Sequence, residues 1–545
     1  MRIKREECTD CRRCIEACPA GAISPRDGHV VISEELCLNT RGCTASEICP
    51  SGAIERVEQA KEARICHNCP VQCEIRLNST GECRLFSNVE GKIVRIDFPA
   101  TFDAVKETVG PECDEVIRRP LLTGIGIGLR GWWDDPLIVA EKVHGIDVVT
   151  CVSEAHYLFS GLKLIINTDR FVGEEGREVY RGGVKVGRVT ADGYGIRTMD
   201  IGGVNTNADE NGWMASKTVV DLANRKRVEL EVKGGAKLEV KVGEKPVING
   251  EVVERRSWGC GFETANALYN DFLKGLVDEV IVCDRGSTGH QGPRKRTSVG
   301  YKHAPSQLFF MGLGEEAGHG LRRHRTGIRL RGISFPEGGF GWGSIPLKSP
   351  LDIIESFDPE KLKPGFTLLI TEPSGCRVAY FTFTAEGELR QTEMPPRLKE
   401  ALEDFRQSCE PASVSAYYRA GAAGTARRSL VKRGMPLKLS EALRLKKAQL
   451  TVAGAPAIVF PGGGIDFMVE VEKVRPGSFF WTSTRATGAP LEWTMKYQDF
   501  VAIGGNIEAV RPLGDVLDFI RLGGRIEPGR PIGDVIDEVR KAKKG

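Results

Sequence analysis

Eleven of the chain's 17 cysteines fall within its first 83 residues, at positions 8, 11, 14, 18, 37, 43, 49, 66, 69, 73 and 83. The other six, Cys113, Cys151, Cys260, Cys283, Cys376 and Cys409, are scattered over the rest. A disulfide scaffold would not be confined to one end of a 545-residue chain. Thiols crowded in this way read as metal ligands or redox groups, so the first part of the chain must fold around them. The remainder is ordinary globular material, 41% hydrophobic and 27% charged. Seventy-six basic residues against 73 acidic ones leave a net charge of +3. That balance argues against nucleic acid or a membrane surface as partner. No apolar stretch is long enough to span a bilayer, and the start, MRIKREECTDC, lacks the apolar core of a signal peptide. The expectation is a cytoplasmic protein of roughly three or four domains.

Cys8-x2-Cys11-x2-Cys14-x3-Cys18-Pro19 matches the cysteine run of bacterial ferredoxins residue for residue. Three thiolates in a tight loop grip three corners of a [4Fe–4S] cubane, and the fourth turns away to another cluster. Zinc favours separated C-x2-C pairs instead. Cys49-Pro50-Ser-Gly-Ala-Ile echoes Cys18-Pro19-Ala-Gly-Ala-Ile, so the block is an internal repeat. Under the crossed rule Cys8, Cys11, Cys14 and Cys49 hold one cluster. Cys18, Cys37 and Cys43 remain for a second, one ligand short. A three-iron cluster, a cubane with a non-cysteine ligand, or no cluster are the outcomes; occupancy is expected.

Cys66-x2-Cys69-Pro70-x2-Cys73-x9-Cys83 is a different design. It resembles the cluster-binding start of molybdopterin oxidoreductases and is one site, holding either a third [4Fe–4S] cluster or a structural zinc. His67, between two ligands, reads as a neighbouring or solvent group. Two or three clusters this close form a wire that passes single electrons, and a wire needs a sink among residues 120–545.

Composition divides the chain into a ferredoxin-type block (1–58), a four-cysteine knuckle (59–95), a linker (96–120), an α/β region with a β-meander (121–300), a second α/β region (301–511) and C-terminal helices (512–545). The fold class is α+β or α/β, multidomain and β-rich beyond the cysteines. RVELEVKGGAKLEVKV and KPVINGEVVER alternate about Gly234-Gly235 and Asn249-Gly250, two hairpin signals. GFETANALYNDFLKGL reads as a helix followed by the buried strand EVIVCD. PLGDVLDFIRLGG and PIGDVIDEVRKAKKG are two similar helices, each behind a proline. G-x-G-x-x-G, a Walker lysine and H-E-x-x-H are all missing.

From about Gly145 to Leu513 the strings IDVVT, SEAHYLFSG, INTDRFVGEE, DIGGVN, VING, GCGFETA, VDEVIVCD, TGHQG, TGIRLRG, FPGGGIDFMVEV and APLEWTMKYQDFVAIGG occur in order. In these, and in its cysteine block, the chain resembles the 6-hydroxynicotinate reductase family. The resemblance implies an iron–sulfur flavoprotein of anaerobic metabolism, with FAD or FMN as flavin. It implies reduced ferredoxin, or another low-potential donor, as partner. The substrate is then a pyridone carboxylate such as 6-hydroxynicotinate, or a related cyclic amide. One departure stands out. After the VDEV strand the family carries an acidic–His pair, where this chain has Cys283-Asp284-Arg285-Gly286; the departure points to another cyclic amide or conjugated carboxylate as the alternative substrate.

Candidate roles follow. Glu154 and Asp284 are candidate proton carriers, against a salt-bridged or strand-end role. His290 is a candidate substrate hydrogen-bond donor. Arg427, which keeps the family's arginine after a Gly/Ala-rich turn, is a candidate carboxylate or phosphate clamp. Cys260 is a candidate cofactor contact, against an inert buried thiol. Two other readings stay open: an electron-transfer subunit of a larger redox complex, and a non-redox cyclic-amide enzyme with structural clusters. A homo-oligomer is the class-level expectation.

Overall fold

The computed structural model describes residues 1–58, 60–67, 71–96, 100–101, 119–123, 137–157, 160–193, 196–256, 261–284, 307–312, 315–319, 328–330, 349–421, 435–460, 466–522 and 532–544.

The first 58 residues run through one backbone pattern twice. The short helix Arg13–Glu16 leads into Cys18-Pro19, and Thr44–Glu47 leads into Cys49-Pro50. After each, a glycine amide turns back onto the cysteine carbonyl: Gly21 to Cys18 at 3.0 Å, Gly52 to Cys49 at 3.1 Å. Both glycines sit at left-handed φ, 65° and 66°, where a side chain is disfavoured. Ala22 and Ala53 are then buried, and each copy continues as a strand. Ile23–Arg26 pairs with His29–Ile32 across Asp27-Gly28, and Ile54–Glu55 pairs with Arg2–Ile3. The knuckle that follows is two small hairpins, Arg64–Ile65 with Glu74–Ile75 and Phe86–Val89 with Lys92–Arg95.

The chain divides into two compact units, each discontinuous in sequence. One holds residues 1–162, 202–225 and 416–545, and the other holds 163–201 and 226–415. The linear stretches read from composition do not map one to one onto them: 121–300 and 301–511 each contribute to both.

The first unit builds a wide sheet beside the cysteine block. Val510–Pro512 runs parallel to Leu137–Val143. Antiparallel neighbours then follow in the order Ile146–Tyr157, Thr487–Lys496, Ala448–Val452, Ala455–Val459, Asp466–Glu470 and residues 417–421. Thr487–Lys496 is buried at every position but the last, as expected of a strand covered on both faces. The C-terminal helices Leu513–Arg521 and Ile532–Lys544 set Val516, Phe519, Val535 and Ile536 against Leu137, Val139, Val148 and Val152. Their apolar residues recur at helical spacing, so each helix has one face to bury. Helix Gly212–Ala223 packs beside the strand Phe480–Trp481, where Trp213 and Trp481 stack at 6.4 Å between ring centres.

The second unit holds the two expected hairpins. Val228–Val232 pairs with Lys237–Val240, and Val247–Ile248 pairs with Glu251–Val252 through Asn249-Gly250. Both turn residues have positive φ, the backbone that a two-residue hairpin loop needs. A separate sheet runs Glu315–His319, Gln307–Gly312, Glu279–Asp284, Thr367–Thr371, Val378–Phe383, Leu389–Gln391. Only Glu279–Asp284 and Thr367–Thr371 are parallel. Helix Gly261–Ala267, its π-helical continuation Leu268–Leu273 and helix Pro396–Ser408 cover one face through Leu268, Leu273, Leu398, Leu402 and Phe405.

Candidate cluster sites

Cys8, Cys11, Cys14 and Cys49 line one cavity. Cys8 and Cys11 come from the loop before helix Arg13–Glu16, Cys14 from the helix itself, and Cys49 reaches over from the second copy of the repeat. Burial, reinforced by Cys11, Cys49 and Cys8, pushes the Cys14 thiol up to about 11. A buried thiol such as Cys14 needs a positive centre beside it to become a thiolate, which an iron–sulfur core supplies. Asp10 ties this loop to the neighbouring hairpin. Its carboxylate accepts the Val30 amide at 2.8 Å and faces His29 Nδ1 at 2.8 Å and Arg5 Nη1 at 3.1 Å. Those partners, the Val30 amide foremost, hold its carboxyl well below the usual range.

Cys18, Cys37 and Cys43 line a second cavity, together with Glu82 and Ser483. Burial first, then Cys18 and Cys37, pushes the Cys43 thiol up to about 11. Glu82 is 7% exposed. Its Oε2 accepts the Ser483 backbone amide at 3.0 Å and the Ser483 hydroxyl at 3.1 Å. Burial raises its carboxyl to about 7 against the pull of those two hydrogen bonds.

Three of the four knuckle cysteines, Cys66, Cys73 and Cys83, are buried together with Leu38, Ile75, Leu85 and Phe86. The Cys66 amide donates to the Cys73 carbonyl at 2.8 Å. Cys69 lies outside the described residues, and His67 is exposed. The knuckle and the second cavity share a wall: Glu82 precedes Cys83, and Leu38 follows Cys37. Among the described residues no three His, Cys, Asp or Glu side chains form a group that could hold a single metal ion. A cubane presents separate irons, so its thiolates do not have to converge on one point.

Of the candidate catalytic and binding residues, the structure describes the backbone of two. Glu154 lies on Ile146–Tyr157 opposite Pro490, in the first unit. Asp284 ends Glu279–Asp284 opposite Gln307, in the second. The side chains of both, and all of Cys260, His290 and Arg427, lie outside what the structure describes. Asp284 is nevertheless at the carboxyl end of the parallel strand pair, where open α/β sheets bind ligands.

Among the buried acids that the sequence does not single out, two have raised carboxyls and organise their surroundings. Glu82 stands one residue before a knuckle cysteine, and that adjacency was the available signal. Glu372 follows Thr367–Thr371 and is 1% exposed. Its Oε1 accepts the Cys376 amide at 3.0 Å and the Arg377 amide at 3.2 Å, so it organises the turn at 373–377. Burial raises its carboxyl, partly offset by Arg170. The second unit also has a groove of about 730 Å³ beside the hairpins, lined in part by Arg170, Tyr180 and Arg377. That volume suits a small molecule, but Glu251 already pairs with Arg170 at 3.4 Å and with Arg377 at 2.6 Å.

The 4Fe-4S binding domain family matches residues 1–24. A putative electron transport protein, YsaA of Escherichia coli (strain K12), is 37% identical over 51 residues, which is 9% of this chain and 31% of that protein. The 6-hydroxynicotinate reductase of Eubacterium barkeri is 34% identical over 524 residues, covering 94% of this chain and 99% of that one. No solved structure matches. Likeness of that extent, spanning the cysteine block and both units alike, means that the chain belongs to the 6-hydroxynicotinate reductase family and is an iron–sulfur oxidoreductase.

Proposed function

We propose that this enzyme takes electrons singly from reduced ferredoxin, or an equivalent low-potential donor, and reduces the ring of a pyridone carboxylate such as 6-hydroxynicotinate, or of a related cyclic amide. The observation that carries this reading is the identity with the Eubacterium barkeri reductase over 94% of the chain. The cysteine sites support it with a route. Cys8, Cys11, Cys14 and Cys49 are the ligands of one [4Fe–4S] cluster. Cys18, Cys37 and Cys43 serve a second, and Cys66, Cys69, Cys73 and Cys83 a third rather than a zinc. The clusters supply low-potential electrons one at a time.

Ring reduction adds two electrons and two protons per double bond, so a two-electron store must stand between wire and substrate. A flavin, FAD or FMN, is the group whose chemistry meets that need. The chain's own residues then position and protonate. Glu154 and Asp284 are the proposed proton carriers and His290 a hydrogen-bond donor to the substrate carbonyl. Arg427 clamps the carboxylate, and Cys260 touches the cofactor.

Anaerobic purification, with iron, sulfide, zinc and flavin measured per chain, tests this directly, followed by turnover of pyridone carboxylates with reduced ferredoxin. Flavin together with iron for two or three clusters, and ring reduction, is the expected result. Iron without flavin or turnover would make the chain an electron-transfer subunit. One zinc per chain would reassign the knuckle.

A further inference from the structure

The second cavity offers three cysteines where a cubane needs four ligands. We propose that Glu82 is the fourth, its carboxylate closing a four-iron cluster held by Cys18, Cys37 and Cys43. This rests on the reading above that the second cavity is loaded.

The lining side chains that offer oxygen are Asn39, Thr40, Thr44, Ser483 and Glu82, and Glu82 is the one that can bring a negative charge to the open corner. Asn39 is committed: its Nδ2 donates to Glu74 at 2.8 Å and to the Val57 carbonyl at 3.0 Å. The Thr44 hydroxyl donates to the Ser483 carbonyl at 3.3 Å, and the Ser483 hydroxyl donates to Glu82. Among the described residues, Glu82 is the one acidic side chain lining the cavity. It carries the same single negative charge as a thiolate, so three thiolates and a carboxylate balance the core as four thiolates would. Ser483 fixes Oε2 from one side, while no hydrogen bond from the described residues reaches Oε1. Glu82 also lies close enough to act electrostatically on Cys18.

Burying a carboxylate without a cation is costly, and among the described residues Glu82 forms no ion pair. An iron at the open corner would remove that cost. The local sequence fixes the placement. Cys83 is committed to the knuckle, so its predecessor must lie along the shared wall. Gly81 permits the approach: a Cβ there would meet Ile75 Cδ1 at 3.2 Å and Cys73 Sγ at 3.7 Å.

An oxygen ligand holds iron less firmly than a thiolate, because iron in these clusters prefers soft sulfur. The corner iron at Glu82 should therefore be the exchangeable one. The test compares the anaerobically purified full chain with Glu82→Gln, Glu82→Cys and Cys43→Ser, by iron count, electron paramagnetic resonance and the rate of iron loss to a chelator. Glu82→Gln should lose about one iron per chain and show the oxidised three-iron signal. Glu82→Cys should keep every iron and release it more slowly than the natural chain, which also shows that the position tolerates substitution. If Glu82→Gln keeps the full count and the natural release rate while Cys43→Ser strips iron, the ligand assignment falls and the loaded cavity stands. If Cys43→Ser changes neither iron nor spectrum, the cavity is not loaded, and both readings fall.

Discussion

Around Cys18 and around Cys49 the backbone makes the same turn, with a left-handed glycine three residues on and a buried alanine after it. The cavities that the two halves serve are nonetheless unlike. Cys11 of the outer set is exposed and Cys8 and Cys49 are half-buried, and all four candidate ligands are thiols. The inner set has three thiols and a carboxylate, roofed by Ser483 from 401 residues further along the chain. One local scaffold occurs twice, and only the second cavity is lined by the turn between Phe480–Trp481 and Thr487–Lys496. The contrast also sets a direction. On the proposed loading, the set with the exposed Cys11 is the one placed to meet a soluble donor, and the set under Ser483 receives from it.

The strongest test removes one set at a time. Cys14→Ser should cost about four irons per chain. It should abolish reduction by ferredoxin while a small-molecule reductant still reduces the inner site. If stopped-flow spectra show ferredoxin reducing Cys14→Ser at the natural rate, electrons do not enter at the outer set. Next in size is Ser483→Ala, which deletes one hydrogen bond to a buried carboxylate at a cost of roughly 1.5–3 kcal/mol. Chelator release should accelerate from the inner site only; equal acceleration at both would erase the distinction. Gly21→Ala and Gly52→Ala should each cost roughly 1–2 kcal/mol for the left-handed backbone, since neither added Cβ would meet an atom within 4 Å. Denaturant midpoints that differ widely between them would show that the halves are not one scaffold.

The smallest effect belongs to Asp10. Its carboxyl is lowered in the folded chain by the Val30 amide, His29 and Arg5, so the stability it contributes is present above the unfolded value of 3.8 and is lost as pH falls below it. Asp10→Asn should therefore lower Tm slightly at pH 7, and the difference from the natural chain should close in acid. A difference that persists there would assign the effect to lost geometry rather than charge.

Much of this was legible because it is local. The repeat at Cys18 and Cys49, the turn at Asn249-Gly250, the buried strand Glu279–Asp284 and the paired C-terminal helices each announce themselves within about a dozen residues. The role of Glu82 was not legible, since only its burial against Ser483 sets it apart from any other glutamate. The interleaving of the two units escaped for the same reason. Residues 202–225 belong with the cysteine block, and no periodicity within them says so. The candidate catalytic residues were read from resemblance, and what the structure adds is the strand end that Asp284 occupies.

The hydrogen bonds from Ser483 to Glu82 join the start of the chain to a segment translated 401 residues later. At ribosomal rates of about 5–20 residues per second, that separation is about 20–80 s. Throughout this interval the inner cysteines have emerged and their roof has not been made. The lining of the outer cavity ends at Ile54, whereas the inner one lacks a wall until the last quarter of the protein arrives and, on the loading proposed above, stays open to cluster delivery until then. Assembly of the two sites is thereby staggered by the order of the gene itself.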